Sequence, residues 1–163
     1  MPKGPLFLRF INAEVTVFEM LQSFVKSPDS NTSEAAAIAM KNPPDLEDFR
    51  TEMKDAVTDI IADGPGAEFA AFVNNYMEDS LEEDVQTAKG ERGQNVSRSA
   101  RVKEGATSWI EGFICYNLCL YIRAFGLMSL KKCKVCSTFF NHKGKYAVYC
   151  SDSCKAERKN KKV

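Results

Sequence analysis

The sequence predicts a mainly α fold: a helical N-terminal domain over residues 1–130, then a small C-terminal module, a short β-hairpin plus a helix, over residues 131–163. Three observations carry that reading. Apolar residues recur at spacings of three, four and seven through the first 130 positions, the pattern of helices with one buried face. Stretches rich in Pro, Gly and Asp punctuate them where helices turn back. Four of the six cysteines fall in two close pairs within the last 33 residues.

A chain of 163 residues suits one modest domain with a small satellite. Its 11 Phe and 5 Tyr exclude an intrinsically disordered chain, which lacks the means to build a core. The formal net charge is zero, yet residues 131–163 carry ten basic and two acidic groups, a net of +8, and the rest carries −8. Such asymmetry points to a polyanionic or acidic partner for the C-terminal end. No basic start with a long apolar run and a small-residue cleavage site is visible, so a cytoplasmic, reducing location is expected.

Taken in order, Phe7, Phe10, Ile11, Val15, Phe18, Leu21 and Phe24 predict an amphipathic helix within the first 27 residues. Ser27 to Ser33 reads as a turn, and Thr32 or Ser33 is placed to cap a short helix over 34–41. Asn42-Pro43-Pro44 breaks it, because proline lacks a donor and restricts its predecessor. Asp45 can cap the next helix, whose stripe is Leu46, Phe49, Met53, Val57, Ile60 and Ile61. A further helix carries Phe69, Phe72, Val73, Tyr76 and Met77 on one face. Residues 42–85 have a net charge of −11, read as a solvated face or as a surface that pairs with a basic one.

Residues 89–105, polar and glycine-bearing, predict a loop; Arg92, Arg98, Arg101 and Lys103 would let it touch phosphates. The most apolar segment, 106–130, is long enough to span a bilayer, but Glu111, Asn117 and Arg123 interrupt it. A core helix with a Ser108–Glu111 capping box fits better, and no membrane association is expected. Cys115 and Cys119, four apart on that helix, read as small core hydrophobes.

The strongest pattern is Cys133-Lys-Val-Cys136, thirteen residues, then Cys150-Ser-Asp-Ser-Cys154. Four thiolates suit one Zn²⁺ in a closed tetrahedron, and such a site is structural because no position remains for water or substrate. A Cys-x2-Cys turn grips the ion from one knuckle; the second pair fits the first turn of a helix. Ser137-Thr-Phe-Phe140 and Tyr146-Ala-Val-Tyr149 are β-prone, with a turn at Asn141–Gly144, and Ser151 or Asp152 can cap the helix. Knuckle, hairpin and ligand-bearing helix make a treble-clef zinc site with one structural Zn²⁺ per chain. His142 sits at the hairpin tip, away from the ligand set.

A helical N-terminal region, a long apolar helix and this four-cysteine module resemble the CGNR-type zinc-finger proteins of bacteria, which are regarded as stress-responsive transcription regulators. The resemblance covers about 35 residues, and where that family has Cys-Gly-Asn-Arg this chain has Cys154-Lys-Ala-Glu157. It implies that Cys133, Cys136, Cys150 and Cys154 carry the zinc and that the following helix contacts nucleic acid.

Function is then weighed between two classes. As a DNA- or RNA-binding regulator, the chain would neutralise phosphates with Lys155, Arg158, Lys159 and Lys162 on one helical face, joined by Lys131, Lys132 and Lys134 at the knuckle. One finger has a small footprint, so affinity calls for a homodimer or help from residues 92–103. As an interaction module, the helical body would bind a protein partner and the zinc would be scaffolding. An enzyme is not expected: the single histidine forms no triad and no phosphate loop is present. Asp55 and Asp59, four apart, are the weak alternative of a divalent-ion pair.

Overall fold

The computed structural model describes residues 4–90, 93–144 and 146–161, with side chains described except at 83–90, 93–99 and 159–161. Among them the fold is mainly helical with two small antiparallel sheets. The chain divides into two compact units, one from Met1–Glu14, Glu47–Ala70 and Asn117–Val163, the other from Val15–Leu46 and Ala71–Tyr116. The 130/131 boundary read from sequence falls inside the first of these.

The N-terminal apolar stripe forms two helices, not one: α1 (Leu6–Ile11) and α2 (Val17–Val25). The break has a local cause. Ala13 takes the left-handed region (φ 57°), its N–H donating to Phe10 O at 3.0 Å and that of Glu14 to Arg9 O at 2.8 Å, which closes α1 in a Schellman-type cap. Thr16 then starts α2 with a complete capping box against Glu19. An L-residue with a Cβ is strained in the left-handed region, so Ala13→Gly should stabilise the protein by about 1 kcal/mol. Thermal unfolding, read as a rise of about 2–4 °C, checks this.

In the first unit Phe7, Phe10 and Ile11 of α1 are fully buried, as are Met53 and Val57 of α4 (Glu47–Asp63). The Phe10 and Phe49 rings lie 5.6 Å apart, and Arg50 spreads its guanidinium over Phe10 while its Nε donates to Phe10 O at 2.8 Å. Arg50 thereby adds a second donor to a carbonyl at the end of α1 that already accepts from Ala13 N–H. Phe7 stacks edge-on against Tyr121, and its N–H donates to Asn117 Oδ1 at 3.0 Å. That bond accounts for the polar Asn117 in the apolar segment. The unit is completed by the C-terminal module, which carries β3 (Leu130–Lys132), β4 (Phe139–Asn141) and α7 (Asp152–Lys161).

The second unit holds α2 and α3 (Ser30–Lys41), the latter capped by Asp29, whose carboxylate accepts from Thr32 N at 2.9 Å. The sequence placed that cap at Thr32 or Ser33; Asp29 wins because a carboxylate at the N-terminus also meets the helix dipole. Of residues 89–105, read as a loop, Lys89, Gly90 and Gly93–Val102 belong instead to an antiparallel ribbon of β1 (Leu81–Gly90) and β2 (Gly93–Val102), in register from Leu81↔Val102 to Gly90↔Gly93, while 91–92 lie outside the described residues. A two-stranded ribbon needs a buried anchor at one end only, and Leu81 and Val102 supply it. The scarcity of apolar residues further out misled the loop reading.

Helix α5 (Ala67–Met77) and helix α6 (Trp109–Phe125) each contribute residues to both units. Trp109 stands edge-on to Phe24 and Phe113, with ring centroids 5.5 and 6.1 Å away. Glu111 is hydrogen-bonded by the Ser108 side chain; burial pushes its carboxyl up, its own backbone N–H and Ser108 pulling against that shift. Among the described residues no helix is long and apolar enough to cross a membrane.

Gly112 marks a close approach inside α6. A Cβ there would lie 3.0 Å from Tyr76 O and 3.1 Å from Ser80 Cβ, neither of which is the free end of a flexible side chain. Gly112→Ala should therefore cost about 1–3 kcal/mol in denaturant unfolding, although alanine is the better helix former by about 1 kcal/mol.

Candidate metal centre

The four cysteines predicted as ligands come together: the Sγ atoms of Cys133, Cys136, Cys150 and Cys154 all lie within 4.8 Å of one another. Each is positioned by local backbone structure. Cys133 follows β3, and its N–H donates to Thr138 O at 2.8 Å. Ser137 N–H returns to Cys133 O at 3.0 Å, with Ser137 in the left-handed region (φ 62°), so the chain turns tightly enough to aim Cys133 and Cys136 inward. Lys134 N–H donates to Val148 O at 3.1 Å and draws the second pair alongside. Ser151 caps α7, its hydroxyl accepting from Cys154 N at 3.3 Å, which seats Cys154 in the first helical turn.

The hairpin is not the one read from the sequence. β3 pairs with β4, Lys132 opposite Phe139 and Leu130 opposite Asn141, so the strands flank the knuckle. The 146–149 run forms no strand among the described residues and is held instead by the Lys134–Val148 bond. Three residues either side of a Cys-x2-Cys turn already form a closed hairpin, leaving the later run to bring Cys150 back.

The spacing fits one metal ion. Sulfurs about 2.3 Å from a tetrahedral ion stand about 3.8 Å from each other. Cys136 and Cys150 Sγ are 3.4 Å apart, and Cys150 and Cys154 Sγ 3.7 Å. A disulfide would hold its sulfurs at about 2.05 Å, so all four are thiols.

The thiols are polarised unequally. At Cys133 burial opposes ionisation, but the backbone N–H groups of Cys136, Cys150 and Val135 outweigh it and bring the thiol down to about 6. Cys136 is also lowered, first by the Thr138 side chain, whose Oγ1 lies 3.1 Å from the sulfur. Cys150 is pushed up to about 12 by burial and by three neighbouring cysteines competing for the same charge. Four thiols this close cannot all ionise without a cation among them. A metal ion bound by all four would supply that cation and leave no open position in the donor set.

The other candidates are placed as follows. His142 accepts from Gly144 N at 2.8 Å through Nδ1 and stands exposed, outside the cluster. Cys115 is buried and Cys119 half-buried in α6; burial pushes the Cys119 thiol up, Arg123 partly offsetting it. Asp55 and Asp59 lie on α4 and join no group of three metal-binding side chains among the described residues. Lys155 and Lys134 are exposed, Arg158 half-buried, Lys131 half-buried and Lys132 exposed. Arg92, Lys162 and the side chains of Arg98 and Lys159 lie outside the described residues.

Sequence reasoning missed Asn12. Its side-chain amide donates to Phe139 O at 2.7 Å and accepts from Phe139 N at 3.0 Å, an edge-strand pairing made by one side chain across 127 positions. The clamp fixes β4, and with it the knuckle, to the end of α1. Thr138 was missed too. Asn12 has no local sequence signal, since its role arises only when α1 meets β4, whereas Thr138 lies two positions from Cys136 and its place next to the knuckle was the available signal. No protein-family model matches this chain, and no curated protein is significantly similar to it.

Proposed function

We propose that the chain is a zinc-dependent nucleic-acid-binding protein, a regulator of transcription that grips phosphates through its basic C-terminal helix and knuckle. The metal assignment rests on the donor set: four thiolates in a closed tetrahedron favour Zn²⁺ over harder ions. Metal analysis after expression with ample zinc should give one equivalent per chain, and less than about half an equivalent in folded protein would sink the assignment.

The observation that carries the nucleic-acid reading is charge placement. Residues 131–163 hold a net +8, and a Zn²⁺–thiolate centre of charge −2 leaves about +6 on a very small module. Lys155 and Arg158 share a face of α7 at helical spacing, with exposed Lys134 on the knuckle. Such groups supply affinity for a phosphate backbone without reading sequence. Fluorescence titration with mixed duplex and single-stranded oligonucleotides tests this. Affinity should fall by about 10-fold or more when salt rises about fourfold, and replacing Lys155, Arg158, Lys159 and Lys162 with Ala should abolish binding. Absence of binding at low salt overturns the reading.

A second reading, a protein-interaction module or homodimer, is favoured by apolar exposure in the first unit: Phe125 is 68% exposed, Met128 67% and Tyr146 84%. Exposed aromatic and Met side chains are the usual anchors of protein interfaces. Sedimentation over a wide concentration range tests it, a monomer throughout counting against self-association.

A further inference from the structure

A polar cleft of about 300 Å³ opens in the first unit between α4 and the cysteine knuckle. Lys54, Asp55 and Thr58 line it from α4, Lys132 from β3, and Ser137 and Thr138 from the knuckle. We infer that this cleft seats one backbone phosphodiester of a nucleic acid between the Lys54 and Lys132 ammonium groups. The inference rests on the nucleic-acid reading above for the source of the phosphate.

The two lysines are set up for an anion. Lys132 Nζ lies 3.4 Å from Thr58 Oγ1 and 5.4 Å from the Phe139 ring centroid, both neutral partners. They hold the ammonium in place without cancelling its charge. Thr58 donates its own proton to Lys54 O at 2.8 Å, so its oxygen is left to accept from Lys132. Lys54 is exposed one helical turn before Thr58, and neither lysine forms an ion pair among the described residues. A lysine held only by neutral partners is in the state that binding an anion improves.

The charge count selects the ligand. The Lys54 and Lys132 ammonium groups face the Asp55 carboxylate and the Cys136 sulfur on the cleft wall, so the positive balance is small: a singly charged phosphodiester suits it, and a more highly charged phosphomonoester exceeds it. The volume agrees, lying at the small end of ligand clefts, enough for a phosphate and the near part of its sugar. Ser137 places a hydroxyl where it can donate to a phosphate oxygen. Lys132 belongs to the basic set read from the sequence; Lys54 comes from the acidic half of the chain and joins it only through folding.

The test uses the metal-loaded full chain, with mixed-sequence oligonucleotides titrated across a salt series. Lys54→Gln should weaken binding about 3–10-fold and lower the slope of log affinity against log salt by about 0.7–0.9, with zinc content and thermal midpoint unchanged. Lys41→Gln, an exposed lysine of α3, should change affinity by less than about twofold, and Asp55→Asn should strengthen it. If Lys54→Gln behaves like Lys41→Gln while the Lys155→Gln/Arg158→Gln pair loses binding, the cleft assignment falls and the nucleic-acid reading stands. Inorganic phosphate bound in a Lys54-dependent way, with no oligonucleotide binding, makes this a free-phosphate site and overturns the backbone assignment. No binding of either ligand overturns both readings.

Discussion

Cys150→Ser is expected to abolish stoichiometric metal binding and to unfold residues 130–161 while Trp109 keeps its native fluorescence. Cys150 is the hub of the cluster, its sulfur 3.4 Å from Cys136 and 3.7 Å from Cys154. The two strands beside it are three residues each, too short to persist on their own pairing. On the proposed assignment a metal would hold them, its binding energy in small zinc modules, about 10–16 kcal/mol, being folding energy. Trp109 packs on Phe24 and Phe113 in the other unit, so its emission reports a separate core. Amide hydrogen exchange checks the outcome, and protection persisting over 130–161 without metal would contradict it. Because ligation needs thiolates, metal uptake should release protons and weaken as pH falls, visible as a buffer-dependent heat in calorimetry.

Asn12→Ala is expected to destabilise the first unit by about 2–5 kcal/mol and to weaken metal retention without touching a ligand. The side chain meets both polar groups of Phe139, a residue only 3% exposed. Its removal leaves a buried N–H and a buried C=O without partners, and each such loss costs about 1–3 kcal/mol. Since β4 lies directly opposite β3, loosening Phe139 loosens Lys132 and the knuckle that follows. Competition with a chromogenic chelator measures the loss of zinc, and Asn12→Gln, longer by one methylene, should rescue little. A variant with wild-type stability and wild-type zinc retention would show the clamp to be incidental.

Legibility from the sequence tracked how local each cause is. The α4 stripe of Phe49, Met53, Val57 and Ile60 was readable because helical spacing alone sorts buried from exposed, and all four are buried. The four-cysteine cluster was readable because two close cysteine pairs at these spacings match the donor set of one four-coordinate ion. The break at Ala13 was hidden, since nothing marks an alanine for the left-handed region; the cue was Thr16 with Glu19, three apart. The β1–β2 ribbon was hidden behind polar composition. Asn12, Thr58 and Lys54 were beyond reach, because each acquires its role from a segment more than 70 positions away.

The first unit draws on three separate stretches of chain, the third beginning only at Asn117. A nascent chain therefore exposes Phe7, Phe10 and Ile11 from the moment they leave the ribosome, and their unit's Tyr121 and Phe139 follow more than a hundred residues later. The second unit, complete by Tyr116, has all its parts available earlier. Closure of the first unit waits for residues 117–163 and has high contact order, hence it is slow, and those apolar side chains are the exposed surface during the delay. If the proposed zinc is taken up at that same late step, its starvation would be felt first as aggregation of newly made chains rather than as loss of mature protein.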